Sequence, residues 1–446
     1  MTVVKSVLEP SPNPHTLDEW LDYIGHQHTA EIVMGLDRVR LVWLRMVSVI
    51  NASGNTPAPI NIIVGGTNGK GSTGAMLEAI LDIAGFKTGF LSSPHLLRYN
   101  ERVRLCRQDA SDELLIASFV AVEAARVTPE LIPLTYFEYS TLSALWIFAQ
   151  QNVDVAILEV GLGGRLDAVN IIDADVSIVV SVDLDHQQYL GDTREKIGLE
   201  KAHIYRPGCA AIFADNNPPA SLVEYAESIG ARLTLLGRDY RYQRMDNQWQ
   251  FIGNIEGREV AQHSLPIPAL RGAYQLKNAS GVLAVLAALH RKLPVSLGHI
   301  KRGLLEVEWP GRMQVLPGRP SVVLDVAHNP HAARALEDAL GTMGFYENTY
   351  AVFGMLKDKD IDAVIETIKG RIDFWFIAGL MSERGASASL LADKLNDHGL
   401  YGKYLAFTRI TEAYAAARER AGENDRILVF GSFYTVADVL SLVKPR

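Results

Sequence analysis

The chain has 446 residues, 48% of them hydrophobic and 21% charged, a balance that excludes a disordered polypeptide and predicts two or three folded domains. Lys plus Arg number 43 against 51 Asp plus Glu, a formal net charge of −8. That sign argues against nucleic acid or an anionic membrane as the main partner, because both reward excess positive charge.

The opening MTVVKSVLEPSPNPHTLDEW is broken by charge and proline and lacks the continuous apolar core of a signal peptide. No apolar run reaches the length of a membrane span. The two cysteines, Cys106 and Cys209, read as reduced thiols of a cytoplasmic protein. From there short β-branched runs alternate with helical patterns, the mark of βαβ units and a parallel sheet. Ile60–Val64 is a strand followed by a helix to about Ala84. Further strands are expected at Lys87–Leu91, Val153–Leu158, Val176–Ser181, Ala210–Ala214 and Arg232–Leu236, with helices at Phe137–Gln150 and Thr193–Tyr205. Between Tyr240 and Leu265 the alternation gives way to antiparallel hairpins, and a helix-rich stretch runs from Gln275 to Leu305. Trp309-Pro310-Gly311-Arg312 predicts a hinge. Beyond it, strands at Ser321–Val326, Tyr350–Phe353, Phe374–Ile377 and Ile427–Phe430, with a helix at Pro330–Leu340, predict a second α/β domain. The expected architecture is α/β throughout: residues 1–308 form a large, mainly parallel sheet with helices on both faces, and residues 309–446 a smaller Rossmann-like domain.

The most informative segment is Gly66-Thr67-Asn68-Gly69-Lys70-Gly71-Ser72, between the first strand and its helix. Glycines let backbone amides approach phosphate oxygens, a helix N-terminus favours anions, and Lys70 can neutralise outer phosphates. Ser72 can reach a magnesium ion or cap the helix. The spacing departs from G-x-x-x-x-G-K-[ST], since Val64 stands where the first glycine belongs and Gly71 follows the lysine. An ordinary glycine-rich turn is the plain alternative; phosphate binding accounts for more of the residues.

Glu159 follows one strand and His186 another, so both fall on the strand-end edge that carries the phosphate loop. A carboxylate and an imidazole there can hold Mg²⁺ beside an ATP phosphate. A second glycine-rich loop, Gly161–Asp167, leaves the strand before it. It reads either as a tight turn or as backbone approaching a substrate. His328-Asn329-Pro330 reads as a helix start and, equally, as a ligand-facing strand end.

GTNGKGS, SSPH (92–95), NER (100–102), TYFEYSTLSALW (135–146), LEVGLGGRLDAVN (158–170), LDH (184–186), EKA (200–202), PGR (310–312), DVAHNPHAA (325–333) and GSFYTVA (431–437) occur in this order. The series resembles the folate branch of the Mur-ligase family, the dihydrofolate synthases and folylpolyglutamate synthases, and most of all its bifunctional bacterial type. The resemblance implies ATP-driven joining of L-glutamate to dihydropteroate and to reduced folates through an acyl phosphate. It implies magnesium, two ions, on Ser93, Glu159, His186 and a CO₂-derived carbamate of Lys201, with room for a monovalent cation. It assigns nucleotide contacts to Asn278, Arg312 and Asp325. It places the pterin-bearing substrate on Val33, Met34, Gly35, Leu36, Phe137, Leu166, Asp167 and Ala168. His328 and Ser432 take the incoming glutamate, and Lys70, Lys201 and His328 are the catalytic group. A cytoplasmic monomer is implied. Three other readings are a folylpolyglutamate synthase without dihydropteroate activity, a Mur-type ligase for a cell-wall nucleotide, and a non-catalytic ATP-binding regulator.

Overall fold

The computed structural model describes residues 14–28, 33–50 and 57–443. The proline-broken opening segment, up to residue 13, lies outside them. No helix among the described residues is long and apolar enough to cross a membrane.

In chain order the first sheet takes β1 (Ile60–Gly65), β2 (Thr88–Leu91), β3 (Val103–Leu105), β4 (Gln108–Asp109), β5 (Val155–Glu159), β6 (Val176–Val179), β7 (Ala210–Phe213) and β8 (Arg232–Leu235). Its spatial order is β4-β3-β2-β5-β1-β6-β7-β8. All pairs from β2 to β8 are parallel, whereas β3 and β4 add an antiparallel edge. β1 is INIIVG, buried at every position. Such an unbroken apolar run suits a central strand covered on both faces. One face carries the amino-terminal helices Leu17–Gly25 and Asp37–Ile50 with the helices Asp112–Val127 and Tyr136–Gln150. The other carries the helix Lys70–Ile83 and the segment 240–307.

That segment holds β9 (Tyr240–Arg244), β10 (Gln248–Ile255) and β11 (Arg258–Pro266), an antiparallel three-stranded sheet, followed by helices Tyr274–Ala288 and Leu297–Glu306. The last sheet comprises β12 (Gln314–Leu316), β13 (Ser321–Leu324), β14 (Thr349–Phe353), β15 (Phe374–Ala378), β16 (Tyr404–Phe407) and β17 (Arg426–Phe430), in the order β12-β13-β17-β14-β15-β16. It is parallel apart from β12 and has a hydrophobic layer on each face.

Every strand read from sequence is present to within a residue or two. The edge strands β3, β4, β12 and β16 and the helices before residue 60 go beyond that reading. Short, half-exposed edges carry little apolar periodicity, and β16 (YLAF) has no fully buried residue. The helix expected over 193–205 ends at Ala202, since Tyr205 turns in to donate its hydroxyl to the Ile212 carbonyl at 3.0 Å.

Candidate active site

The carboxyl ends of the two parallel sheets border one cavity of about 490 Å³. In the first sheet β1 lies between β5 and β6, with Val64 paired to both Glu159 and Ile178. The phosphate loop therefore leaves the sheet with Glu159 on one side and the 181–186 segment on the other. In the second sheet β17 lies between β13 and β14, so Asp325–His328, Ser432 and Lys359 follow neighbouring strands.

The loop is stitched to the end of β6. Thr67 N donates to the Ser181 carbonyl (2.8 Å), Asn68 N to Ser181 Oγ (3.0 Å), and Asp183 N to Thr67 Oγ1 (3.0 Å). Gly69 is the helix N-cap at φ +85°, and a Cβ there would lie 2.9 Å from Asn278 Oδ1 and from Val180 Cγ1. Ser72 caps nothing: its buried hydroxyl accepts from Gln275 Nε2 at 3.3 Å. The first amides of helix Lys70–Ile83 have no acceptor within the helix and stand at the cavity. Lys70 Nζ folds back to the Gly66 carbonyl at 3.1 Å. This is the geometry of an anion cradle.

Glu159 is 4% exposed and accepts from Ser93 N at 3.4 Å. Burial pushes its carboxyl up to about 7, against the pull of Lys70 and Arg312. Lys201 is 3% exposed at the end of helix Arg194–Ala202, and burial, helped by the Lys70 charge, brings its amine down to about 7. The second glycine loop packs on that helix: a Cβ on Gly164 would stand 2.7 Å from the Glu200 carbonyl, and Arg165 Nε pairs with Glu200 at 2.8 Å. His186 lies at φ +49°, its Nε2 3.4 Å from Lys359 Nζ, and burial lowers its imidazole to about 4. Asp185 is clamped by Lys359 Nζ (2.7 Å) and Asn329 Nδ2 (2.9 Å). Burial would raise its carboxyl, but Lys359, His186 and His328 outweigh this and hold it well below the usual range.

Arg312 lies over the Phe433 ring at 4.9 Å, and Asp325 accepts from Met313 N and Ala327 N, both at 2.8 Å. The buried Asp325 carboxylate thus fixes the Gly311–Met313 turn to the end of β13. His328 Nδ1 meets the Val326 carbonyl at 2.9 Å, which leaves Nε2 toward Asp185, 4.0 Å away. Asn329 caps helix Pro330–Gly341 with proline at its first position, so the helix start and the cavity edge coincide. Ser432 is buried, and its hydroxyl accepts from Tyr434 N.

The cavity gathers Gly66–Ser72, Ser93, Glu159, His186, Lys201, Asn278, Arg312, Asp325, His328 and Ser432. The remaining sequence-read residues do not line it. Met34 and Leu190 lie over Gly163, and Phe137 over Gly161, where Cβ atoms would come within 3.8, 2.8 and 2.6 Å of them. The Val33 carbonyl accepts from Arg38, Gly35 takes φ +153°, and Leu36 packs on the core. Leu166 is half-buried and Ala168 buried. Asp167 is 4% exposed, and its oxygens accept from Leu162 N (2.9 Å) and Val169 N (3.0 Å), so the carboxylate braces the loop from below. Cavity residues that the sequence reading left out include Lys359, Tyr274 and His95. Lys359 follows the strand end at Phe353, a position that marks a ligand-facing loop in a parallel sheet.

The sequence profile described as Mur ligase middle domain matches residues 64–286, and that described as Mur ligase, glutamate ligase domain matches 311–433. The dihydrofolate synthase/folylpolyglutamate synthase of Escherichia coli is 42% identical over 433 residues, 96% of each chain. The chain belongs to the Mur ligase family, in its dihydrofolate synthase/folylpolyglutamate synthase branch. Among solved structures of this branch, the E. coli enzyme FolC in complex with DHPP and ADP is 42% identical, with a TM-score of 0.89 over 97% of this chain and 99% of that one. A bifunctional folylpolyglutamate synthase/dihydrofolate synthase with Mn, AMPPNP and L-glutamate bound is 41% identical, with a TM-score of 0.86 over 97% and 100%.

Proposed function

We propose that this chain is an ATP-dependent ligase that adds L-glutamate to dihydropteroate, giving dihydrofolate, and to reduced folates, giving folylpolyglutamates. The observation that carries the reading is the single cavity in which the phosphate loop and buried Glu159 and Lys201 face His328 and Ser432 of the other sheet. Lys and Arg outnumber Asp and Glu on its lining seven to three, although the whole chain is acidic. A nucleoside triphosphate and two carboxylate substrates suit such a lining.

A carboxylate is a poor electrophile at neutral pH. Its oxygen attacks the γ-phosphorus of ATP and ADP leaves, which makes an acyl phosphate. The amine of L-glutamate adds to that carbonyl, and collapse of the tetrahedral adduct expels phosphate. Lys70 and the amides of 66–72 neutralise the phosphoryl oxygens, with Asn278, Arg312 and Asp325 around the rest of the nucleotide. Met34, Phe137 and Leu162 give the acceptor an apolar bed beside the loop that Asp167 braces. His328 and Ser432 position the incoming glutamate.

Ser93, Glu159 and His186 supply oxygen and nitrogen donors of the type magnesium takes. Among the described residues buried Glu159 forms no ion pair, with Lys70 and Arg312 acting on it only at longer range, a cost that a bound divalent ion would offset. Magnesium there would neutralise phosphate charge. Among the described residues no three His, Cys, Asp or Glu side chains are already grouped as a metal site. A CO₂-derived carbamate on Lys201 fits as a further ligand for a second ion. The buried amine is partly neutral near pH 7. That neutral form adds CO₂, which forms an N–C bond, releases one proton and leaves an anion; starting from the ammonium form, two protons are released. Cys106 and Cys209 are unpaired, in keeping with a cytoplasmic enzyme, which we read as a monomer.

Purified protein incubated with dihydropteroate, L-glutamate and MgATP should yield dihydrofolate, ADP and phosphate in equal amounts. Turnover with reduced folate but none with dihydropteroate would reduce the assignment to a folylpolyglutamate synthase. Turnover with neither would overturn it.

A further inference from the structure

The helix that leaves the phosphate loop carries Gly71, Gly74 and Glu78 at i, i+3 and i+7, along one side. The two glycines open a groove there. A Cβ on Gly71 would stand 2.7 Å from Trp309 Nε1, and one on Gly74 2.4 Å from Phe90 Cζ. The two rings pack on each other at 5.4 Å, and the Arg104 guanidinium carbon lies 5.4 Å from the indole centroid. Arg104 Nη2 pairs with Glu78 at 3.3 Å, so the row Phe90, Trp309, Arg104 ends on the helix where it began.

The β3–β4 hairpin that supplies Arg104 grips a second element. Its turn residues Cys106 and Arg107 take φ of +47° and +66°, a conformation that residues other than glycine adopt at a cost. Arg107 is held there at both ends. Its amide donates to Glu78 Oε1 at 3.1 Å, and its guanidinium donates to the Glu306 carbonyl at 2.7 Å and pairs with the Glu306 carboxylate at 3.5 Å. Glu306 ends helix Leu297–Glu306, and the chain runs on through Trp309 to Arg312 on the cavity wall.

Stability does not account for this arrangement. Glu78 is 1% exposed, and burial pushes its carboxyl up to about 7 against the pull of Arg104. Arg104 Nε is buried without a hydrogen-bond partner among the described residues. A buried ion pair often stabilises no better than apolar side chains of the same volume; what it can supply is a fixed position. Glu78, Arg104 and Trp309 stand behind the cavity wall, whereas Gly71 and Arg312 are on it. We propose that Glu78 and Arg104 are positioning residues for the nucleotide: they hold the Trp309 indole on Gly71 and so set Arg312 against the phosphate loop. The inference rests on the nucleotide reading above and extends it to side chains that touch no ligand.

The test is a double-mutant cycle between Arg104→Leu and Trp309→Leu in the full chain. Equilibrium binding of a non-hydrolysable ATP analogue with Mg²⁺ is measured for each variant, with steady-state constants for MgATP, dihydropteroate and L-glutamate. Arg104→Leu should raise the Kd and KM for the nucleotide about fivefold or more, with kcat at saturating MgATP and the other two KM values within about twofold of wild type. Trp309→Leu should do the same, and the double variant should be no worse than the poorer single one, because both act through one contact. Glu78→Gln, which frees the guanidinium, should shift the nucleotide constants in the same direction. Arg104→Lys keeps the charge beside Glu78 and gives up the flat stack on the indole; it should fall between, and it replaces Arg104→Leu in the cycle if that variant does not fold. Losses that multiply in the double variant, an unchanged nucleotide Kd, or equal weakening of all three substrates would each overturn the proposal. A wild-type protein that binds no ATP analogue would instead remove the reading on which it rests.

Discussion

Asn68 of the phosphate loop and Asn329 at the start of a helix in the second sheet's layer exchange two side-chain amide bonds, at 3.2 and 3.1 Å. His331 meets the same Asn68 amide at 2.9 Å, and Arg334 pairs with Asp183 at 2.8 Å. The seam thus ties the loop proposed to hold ATP to the sheet edge that carries His328. Asn68→Ala should lower the rate of amide formation about tenfold, with a small change in melting temperature. Asn329→Ala should lower both, because it also removes a helix cap worth about 1 kcal/mol. Steady-state assays and thermal melts on the two variants separate the contributions.

The buried carboxyl of Glu159 gives a pH-dependent stability with a definite sign. Its folded value of about 7 lies above the ordinary 4.5, so the fold holds more protons than the unfolded chain between these values. Stability from this group therefore falls as pH rises from 4.5 to 7 and stays low above it. In chelator, Glu159→Gln should raise the melting temperature at pH 8 by a few degrees, about 2 kcal/mol, and hardly change it at pH 4.5. The same variant should lose Mn²⁺ binding measured by electron paramagnetic resonance. Equal stabilisation at both pH values would contradict the burial argument.

Much of this was legible in the sequence because parallel sheets put chemistry at strand ends. Once Ile60–Val64, Val153–Leu158 and Val176–Ser181 read as adjacent parallel strands, the loop after the first, Glu159 after the second and His186 after the third had to share one edge. Asp167 shows where such reading stops. A glycine loop with an aspartate fits a substrate contact and a loop brace equally well, and the brace becomes visible only with the positions of Leu162 N and Val169 N. Lys359 was missed for a related reason: its partners Asp185 and His186 come from the other sheet, some 170 residues away, and no local pattern encodes that pairing.

Trp309, in the segment read from sequence as a hinge, packs against the phosphate loop's helix. Its indole packs on Phe90 at 5.4 Å and lies under Arg104, and its Nε1 would stand 2.7 Å from a Cβ on Gly71. Gly71→Ala should displace the indole, shift its fluorescence and raise the KM for MgATP at least about tenfold, whereas Trp309→Leu combined with Gly71→Ala should recover part of the loss. No recovery would mean that the glycine serves phosphate approach alone.

Lys201→Ala should abolish ligation and leave binding of a fluorescent ATP analogue within about threefold, since the lysine is on helix Arg194–Ala202 and not in the 66–72 loop. Loss of nucleotide binding, or full activity, would contradict a ligand role for this side chain.

The acyl phosphate is tested most directly by isotope transfer. With both oxygens of the acceptor carboxylate labelled with ¹⁸O, the enzyme should deliver one labelled oxygen to inorganic phosphate for every amide bond formed, read by mass spectrometry of the phosphate. Phosphate released without label, at the same rate as the amide, would show that the carboxylate never attacked ATP.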